Sequence, residues 1–266
     1  MTEPFLSVIT VSFNSADTIA DTLDSLRNQT SSDFESIVID GGSTDGTGDV
    51  VKRFEGLVNH FVSERDEGLY DAMNKGIAMA KGRYVAFLNS DDAYFPETVE
   101  RVKAFAQKES EVIYGNIQKE RNLGSEILSR EERPDISLMP CTMGVFHPAA
   151  FFRRSLFERY GGYDLRFRHA ADYHWLLRAY LDGVRFEHFD EKLAKFRLGG
   201  VSSFSCESYR EAAQIQKELK TGHHNEMEAL HRKCLRDAPK KKLLGKLAEW
   251  PVIGDIYQRK VKKRWS

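Results

Sequence analysis

Cysteine and proline are both scarce, with three Cys and seven Pro in 266 residues. Cys141, Cys206 and Cys234 are far apart and form no CxxC pair. This pattern argues against a disulfide-built secreted scaffold and suits free thiols in a reducing cytoplasm. No apolar run approaches the ~20 residues that span a bilayer. Met1-Thr-Glu-Pro4 opens on an acid and a proline, unlike a signal peptide. Internal repeats are missing, as are Pro/Ser-rich linkers before about residue 220. Two glycine-rich phosphate loops are missing as well. The turn after the first apolar run reads Ser12-Phe-Asn-Ser15, so the GxGxxG of a dinucleotide-binding domain is absent, and no GxxxxGK[ST] occurs.

What remains has ordinary globular composition, 41% hydrophobic and 30% charged, on a chain long enough to bury its own core. The formal net charge of −1 conceals an asymmetry. From Lys240 onward, nine Lys/Arg against Glu249 and Asp255 make +7, which leaves −8 for everything before. A tail so unlike its body in charge points to a separate role, and residues 221–266 are read as a basic, helical extension.

The body alternates strands and helices. Leu6–Ser12, Ser36–Asp40, His60–Val62, Tyr84–Leu88 and Val112–Tyr114 are short β-branched or aromatic runs. Between them, Ile19, Leu23 and Leu26 mark a helix that Ser15 can cap, Thr47–Phe54 forms another, and Leu69, Met73, Ile77 and Ala80 a third. A helix from Pro96 to Gln107 follows the fourth strand. Further on, Arg153–Tyr160, Ala170–Leu181 and Glu207–Leu219 read as helices, and Val184–Phe189 and Leu193–Leu198 as strands. This order implies a single α/β domain over residues 1–220, with a mostly parallel central sheet flanked by helices.

In such open sheets ligands bind at the carboxyl ends of the strands. Here those ends carry Ser12 and Asn14, then Asp40, then Glu64 and Asp66, then Asn89, Asp91 and Asp92. Four successive polar strand ends describe a functional crevice. With no glycine-rich phosphate loop, paired carboxylates suggest a divalent cation between a diphosphate and the protein.

The segments Val8-Ile-Thr-Val-Ser-Phe-Asn14, Leu26-Arg-Asn-Gln-Thr30, Val38-Ile-Asp-Gly-Gly-Ser-Thr-Asp-Gly-Thr47 and Phe87-Leu-Asn-Ser-Asp-Asp92 resemble family-2 glycosyltransferases of the GT-A fold. Glu64-Arg-Asp-Glu-Gly-Leu-Tyr-Asp-Ala-Met-Asn-Lys-Gly76 is similar to the subgroup of colanic-acid and other bacterial exopolysaccharide transferases. The resemblance covers roughly residues 5–205. It implies that Asp40 accepts a hydrogen bond from a nucleotide base, typically uracil, beside Thr10, Ser12 and Asn14. Asp66 and Lys75 are implied against the nucleotide, with Tyr70 and Asn74 in the same segment. Asn89-Ser-Asp-Asp92 matches the Asp-x-Asp metal motif with Asn in its first place, so Asp91 and Asp92 are the expected ligands of Mn2+ or Mg2+. Either could touch the ion.

The resemblance further implies that Asp172, in Arg168-His-Ala-Ala-Asp-Tyr-His-Trp175, is the catalytic base of an inverting transfer, with Ala171 replacing a common acid. His147, Arg197 and Gly199-Gly-Val-Ser202 lie in similar segments; His147 and Arg197 would serve the acceptor or the diphosphate. His169 and His174 lack a third ligand at metal spacing. The partners implied by the resemblance are a nucleotide-sugar donor, UDP-linked, and a glycan or lipid-linked oligosaccharide acceptor. The basic tail, with Trp250 and Trp265, suits the inner face of a cell membrane. Nucleic acid is not expected, because the body is acidic. The competing readings are a sugar nucleotidyltransferase and a non-catalytic nucleotide-sugar-binding or membrane-scaffold protein.

Overall fold

The first strand, β1 (Leu6–Ser12), is buried along its whole length, as an unbroken apolar run demands of a strand covered on both faces. The computed structural model describes residues 3–106, 110–123, 126–198 and 206–248. β1 pairs in parallel with β2 (Phe34–Asp40) on one side and β4 (Tyr84–Phe87) on the other, and β2 pairs in parallel with β3 (Val58–Ser63). Helices α1 (Ile19–Arg27), α2 (Thr47–Lys52) and α3 (Leu69–Met79) make the crossovers. Alternation along the strands sorts the core. Ile9, Val11, Ile37 and Ile39 pack in one cluster with α3 residues Tyr70 and Met73, while Leu6, Val8 and Val38 pack in another with Ile19, Leu23 and Leu26 of α1.

Beyond β4 the sheet becomes mixed. β5 (Ala93–Tyr94) and α4 (Thr98–Phe105) lead into β6 (Val112–Asn122), which forms a hairpin with β7 (Ile127–Glu132). β8 (Ala150–Arg153) then inserts antiparallel between β4 and β6. After α5 (Arg154–Tyr160) and α6 (Ala171–Leu181), β9 (Phe186–Arg197) pairs in parallel with β6 and antiparallel with β5. The order is β3-β2-β1-β4-β8-β6-β9-β5, and α7 (Cys206–Glu218) and α8 (His224–Ala248) follow.

Several local expectations are corrected. The two strands read over 184–189 and 193–198 are one strand, β9, whose register with β6 shifts around Asn116. Ala150–Arg153 and Ile127–Glu132 are strands the periodicity did not reveal, and the strand read over Val112–Tyr114 runs on to Asn122. Helix α1 is preceded by Thr18 rather than capped by Ser15, whose hydroxyl donates to Phe13 O instead. Cysteine usage is corrected too: Cys206 and Cys234 are joined in a disulfide between α7 and α8, leaving Cys141 free. Helix pairing brings together thiols 28 residues apart, so cysteine count no longer argues for a reducing compartment. Among the described residues, no helix is long and apolar enough to cross a membrane. Gln107, the Gly199–Ser202 segment, Trp250, Trp265 and the tail from residue 249 lie outside the described residues.

Close backbone approach is tightest at Gly82. A Cβ on Gly82 would meet Ser7 N at 2.5 Å and Leu6 C at 2.7 Å, both backbone atoms that cannot move aside, whereas one on Gly48 in α2 meets nothing nearer than Phe61 Cζ at 3.7 Å. Gly82→Ala is therefore expected to cost about 1–3 kcal/mol of stability through overpacking. Gly48→Ala is expected to add roughly 0.5–1 kcal/mol by removing helix glycine. Urea unfolding of the two variants against wild type checks both signs.

Candidate active site

Parallel register sets the first half of the site. Ser12, Asp40 and Ser63 are neighbours across β1, β2 and β3, at the carboxyl end of each strand. Their side chains meet. Asp40 is fully buried and its carboxylate accepts from Ser12 Oγ at 3.1 Å, Ser63 Oγ at 2.7 Å, the Ser43 N–H at 2.9 Å and the Ser43 hydroxyl. Burial pushes this carboxyl up, but the donors from Ser43, Ser63 and Ser12 outweigh it and hold the group below the usual carboxylate range.

The loops above are laced to one another. Asn14, in left-handed backbone conformation, donates its N–H to Ser43 Oγ at 2.7 Å and accepts from Thr44 N at 3.0 Å. Ser90 Oγ reaches Ser15 Oγ at 2.8 Å, which joins the β1 loop to the turn after β4. Asp66 accepts from Gly68 N at 2.9 Å, and its carboxylate lies against Gly41, where a Cβ would meet Oδ2 at 2.6 Å. Phe13 flanks the same glycine and is 63% exposed, a large aromatic face open to solvent beside the loops. Lys75 pairs with Glu64 at 2.8 Å and Asp71 at 3.5 Å, so its ammonium braces the 64–66 loop and is held above its usual range, Glu64 first. Thr10 is fully buried two residues below the strand end, its Oγ1 without a hydrogen-bond partner among the described residues. Asn74 holds Tyr163 by a reciprocal pair, Tyr163 N to Oδ1 at 2.7 Å and Nδ2 to Tyr163 O at 2.9 Å.

The turn Asn89–Asp92 is fastened from below by Thr22, whose hydroxyl donates to Asp92 O at 2.7 Å and Asn89 O at 3.3 Å. Asp92 is buried, and its Oδ1 accepts from Arg197 N at 3.2 Å, tying the end of β9 to the turn. The Arg197 guanidinium turns to Asp21 at 2.8 Å. Burial pushes Asp91 above the carboxylate range; burial and then the Asp91 charge push Asp92 well above it.

Asp172 lies in the first turn of α6. Glu211 of α7 accepts the N–H groups of Arg168 at 3.0 Å and His169 at 2.7 Å, which fixes the approach to that helix. Tyr70 Oη donates to Asp172 Oδ1 at 2.8 Å. His147 stacks on Phe87 at 4.9 Å and reaches Tyr163 Oη at 2.8 Å. Burial lowers His147, against the pull of Asp172, so it is a neutral imidazole; Tyr70 and Tyr163 are raised by burial and then by Asp172. The geometry thus yields two groups: a laced rim of Ser12, Asn14, Asp40 and Asp66, continuous with Asn89–Asp92, and an Asp172 group beyond Phe87.

The glycosyl transferase family 2 model matches residues 7–161. The chain belongs to that family. It is 36% identical over 188 residues to a PGL/p-HBAD biosynthesis glycosyltransferase of Mycobacterium tuberculosis, which takes in 68% of this chain and 71% of that protein. Its fold is shared with Staphylococcus aureus TarS 1–349 in complex with UDP, with TM-score 0.64, 21% identity, and 87% and 71% of the two chains covered. It is shared also with the mannosyltransferase PcManGT of Pyrobaculum calidifontis in complex with GDP-Man and Mn2+, with TM-score 0.62, 18% identity and coverage of 96% and 83%. The chain spans 42% of the longer TarS chain. The sheet described above is therefore a GT-A fold and the protein a glycosyltransferase. The family match includes Asp40 and Asn89–Asp92 and ends before Asp172 and Arg197.

The family's divalent cation fits the residues present. Asn89 Oδ1 and Asp92 Oδ2 are buried with no hydrogen-bond partner among the described residues, and Asp91 stands between them with a half-buried carboxylate. Oxygen atoms, two of them anionic and short of donors, are what a hard cation takes. Phe13, Ser43, Ser63 and Tyr163 escaped the sequence reading. Phe13 and Ser43 stand inside the quoted motifs and could have been found there; Ser63 and Tyr163 are visible only through contacts across the fold.

Because ionised Asp40 is favoured in the fold, its contribution is complete above the unfolded value near about 3.9 and is lost as pH falls through the lower folded value. Asp40→Asn would turn an N–H2 toward existing donors and is expected to cost roughly 1–3 kcal/mol at neutral pH. Its unfolding free energy should also depend less on pH in the acid range than that of wild type. Denaturant titrations at neutral and acid pH measure both.

Proposed function

We propose that this glycosyltransferase moves a sugar from a UDP-linked donor to a hydroxyl of a glycan or lipid-linked oligosaccharide in surface polysaccharide or glycolipid synthesis, inverting the anomeric carbon. The observation that carries the reading is the pair of unpartnered buried oxygens, Asn89 Oδ1 and Asp92 Oδ2, beside Asp91 on the rim that Asp40 anchors. The UDP in TarS and the GDP-Man and Mn2+ in PcManGT support a nucleotide-diphosphate donor for a chain of this fold.

Phe13 offers an aromatic face for a base, and Asp40 an acceptor for a ring N–H. That N–H would replace the Ser63 hydroxyl, since Ser63 is the exposed one of the three serines. Asn89, Asp91 and Asp92 would hold Mn2+ or Mg2+, which when bound supplies positive charge against the diphosphate. Asp172 takes the proton of the acceptor hydroxyl as that oxygen attacks the anomeric carbon and the bond to the diphosphate breaks. One displacement suffices, with no covalent sugar on the protein. Neutral His147 and the phenols of Tyr70 and Tyr163 add no charge beside Asp172. We read 1–220 as the catalytic domain and 221–266 as an extension whose basic residues favour an anionic membrane surface on its cytoplasmic side.

Thermal shifts with UDP, GDP, dTDP and CDP, each with and without Mn2+, test the donor site. A ligand at about 100 times its Kd adds roughly 2.7 kcal/mol to the folded state. We expect stabilisation by UDP that requires Mn2+ and disappears in Asp91→Ala; the same behaviour with another nucleotide would overturn the uracil assignment alone. Asp172→Asn is expected to retain the shift while release of nucleoside diphosphate from the donor falls about 10²- to 10⁴-fold. Turnover undiminished in that variant would remove Asp172 as the base.

A further inference from the structure

Asp172 has two carboxylate oxygens, and the fold treats them differently. Tyr70 Oη donates to Oδ1 at 2.8 Å, and the N–H of Tyr173 donates to the same Oδ1 at 2.8 Å. Each oxygen of an ionised carboxylate offers about two lone-pair sites, so Oδ1 is saturated by the chain. Tyr70 is the second residue of α3, is 5% exposed, and comes from a segment 102 residues away in sequence. Its phenol is raised well above its usual range by burial and by Asp172, so it stays a donor and never competes for the acceptor's proton.

The geometry points to Tyr70 as a positioning residue that holds Asp172 by Oδ1 and thereby makes Oδ2 the atom that receives the acceptor proton. This rests on the reading of Asp172 as the base. Proton transfer then occurs in a fixed direction: the hydroxyl O–H bond breaks, Oδ2 gains the proton, and the phenol remains protonated throughout. Without Tyr70 the carboxylate keeps, among the described residues, the Tyr173 N–H alone, which lies on its own helix and leaves the side chain free to turn about its terminal torsion. Tyr70 follows directly on the 64–68 loop whose Asp66 packs against Gly41. The phenol is thus a physical link from the nucleotide rim to the proton acceptor. Its ring is braced by Tyr163 at 5.4 Å, and Tyr163 is clamped by Asn74 of the same helix, α3.

The test compares wild type, Tyr70→Phe, Tyr70→p-aminophenylalanine and Asp172→Asn on a panel of UDP-glucose, UDP-galactose and UDP-N-acetylglucosamine, reading released UDP. Phenylalanine keeps the buried ring, and thermal unfolding with UDP and Mn2+ confirms that each variant folds and binds. Tyr70→Phe is expected to lower kcat roughly 10- to 100-fold, the scale of a misplaced reacting group, with donor KM unchanged within about twofold. The amino-bearing variant retains a donor at that point and is expected to recover most of kcat. A merely structural role predicts lower stability with kcat unchanged, and that result overturns the inference. So does failure of the amino variant to exceed Tyr70→Phe. If Asp172→Asn itself turns over at the wild-type rate, the base assignment falls and the inference with it. If Asp172→Asn is inactive while Tyr70→Phe is as fast as wild type, only the inference falls.

Discussion

A buried carboxylate is costly unless it is supplied with donors, and Asp40 is supplied by two flanking strands and its own loop. The supply depends on register. Ser12, Asp40 and Ser63 stand side by side only because β1, β2 and β3 are parallel and end together. A slip of one residue would turn each of these side chains to the opposite face. Once Asp40 is held, Ser43 is held, and through it Asn14, so the β1 and β2 loops share one geometry. The Ser15–Ser90 contact carries that geometry to the turn after β4.

The same rim contains carboxylates in the opposite condition. Asp40 has a full set of four donors and is shifted down; among the described residues Asp91 and Asp92 have fewer and are shifted up. Position on the rim does not explain the contrast, because both sets end parallel strands. What differs is the neighbourhood: hydroxyls and an N–H around Asp40, and for Asp92 a single N–H from Arg197 whose guanidinium is turned to Asp21. Asp40 is satisfied by the chain, whereas Asp92 Oδ2 has no hydrogen-bond partner among the described residues. That contrast supports the proposal that one fold uses acids both to build a pocket and to attract a cation.

Much of this architecture was legible. β1, β2 and β4 are buried on both faces and announce themselves as apolar runs, and α3 and α6 were placed to within a residue or two by spacing. The four-residue β8 was hidden because Ala150–Arg153 leads straight into a helix. β9 read as two strands because Asp190, Glu191 and Lys192 interrupt its apolar pattern at the point where the register shifts. In the candidate site, Asp40, Asp91, Asp92 and Asp172 were singled out through motifs that name residue types. What Lys75 and Asn14 do was not legible. Their partners are set by loop geometry: Lys75 is engaged with Glu64, and Asn14 with a loop some 30 residues on. Asn74 is the same case, since its partner Tyr163 lies 89 residues away.

The insertion of β8 between β4 and β6 has a bearing on how the chain is made. β4 finds one neighbour in β1 early, but its other neighbour, β8, ends only at Arg153. During synthesis the parallel unit β3-β2-β1-β4 therefore waits with an open edge, Tyr84-Val85-Ala86, for about 65 residues of further chain. An apolar edge strand of this kind invites pairing with other chains. The nascent chain is thus most at risk of aggregation in the interval between β4 and β8, and a ribosome pause placed there would prolong it. The rim that holds Asp40 can form in this interval, whereas Asp172 and its helix arrive only after the edge has closed. In the order of its making, the Asp40 rim precedes the Asp172 group.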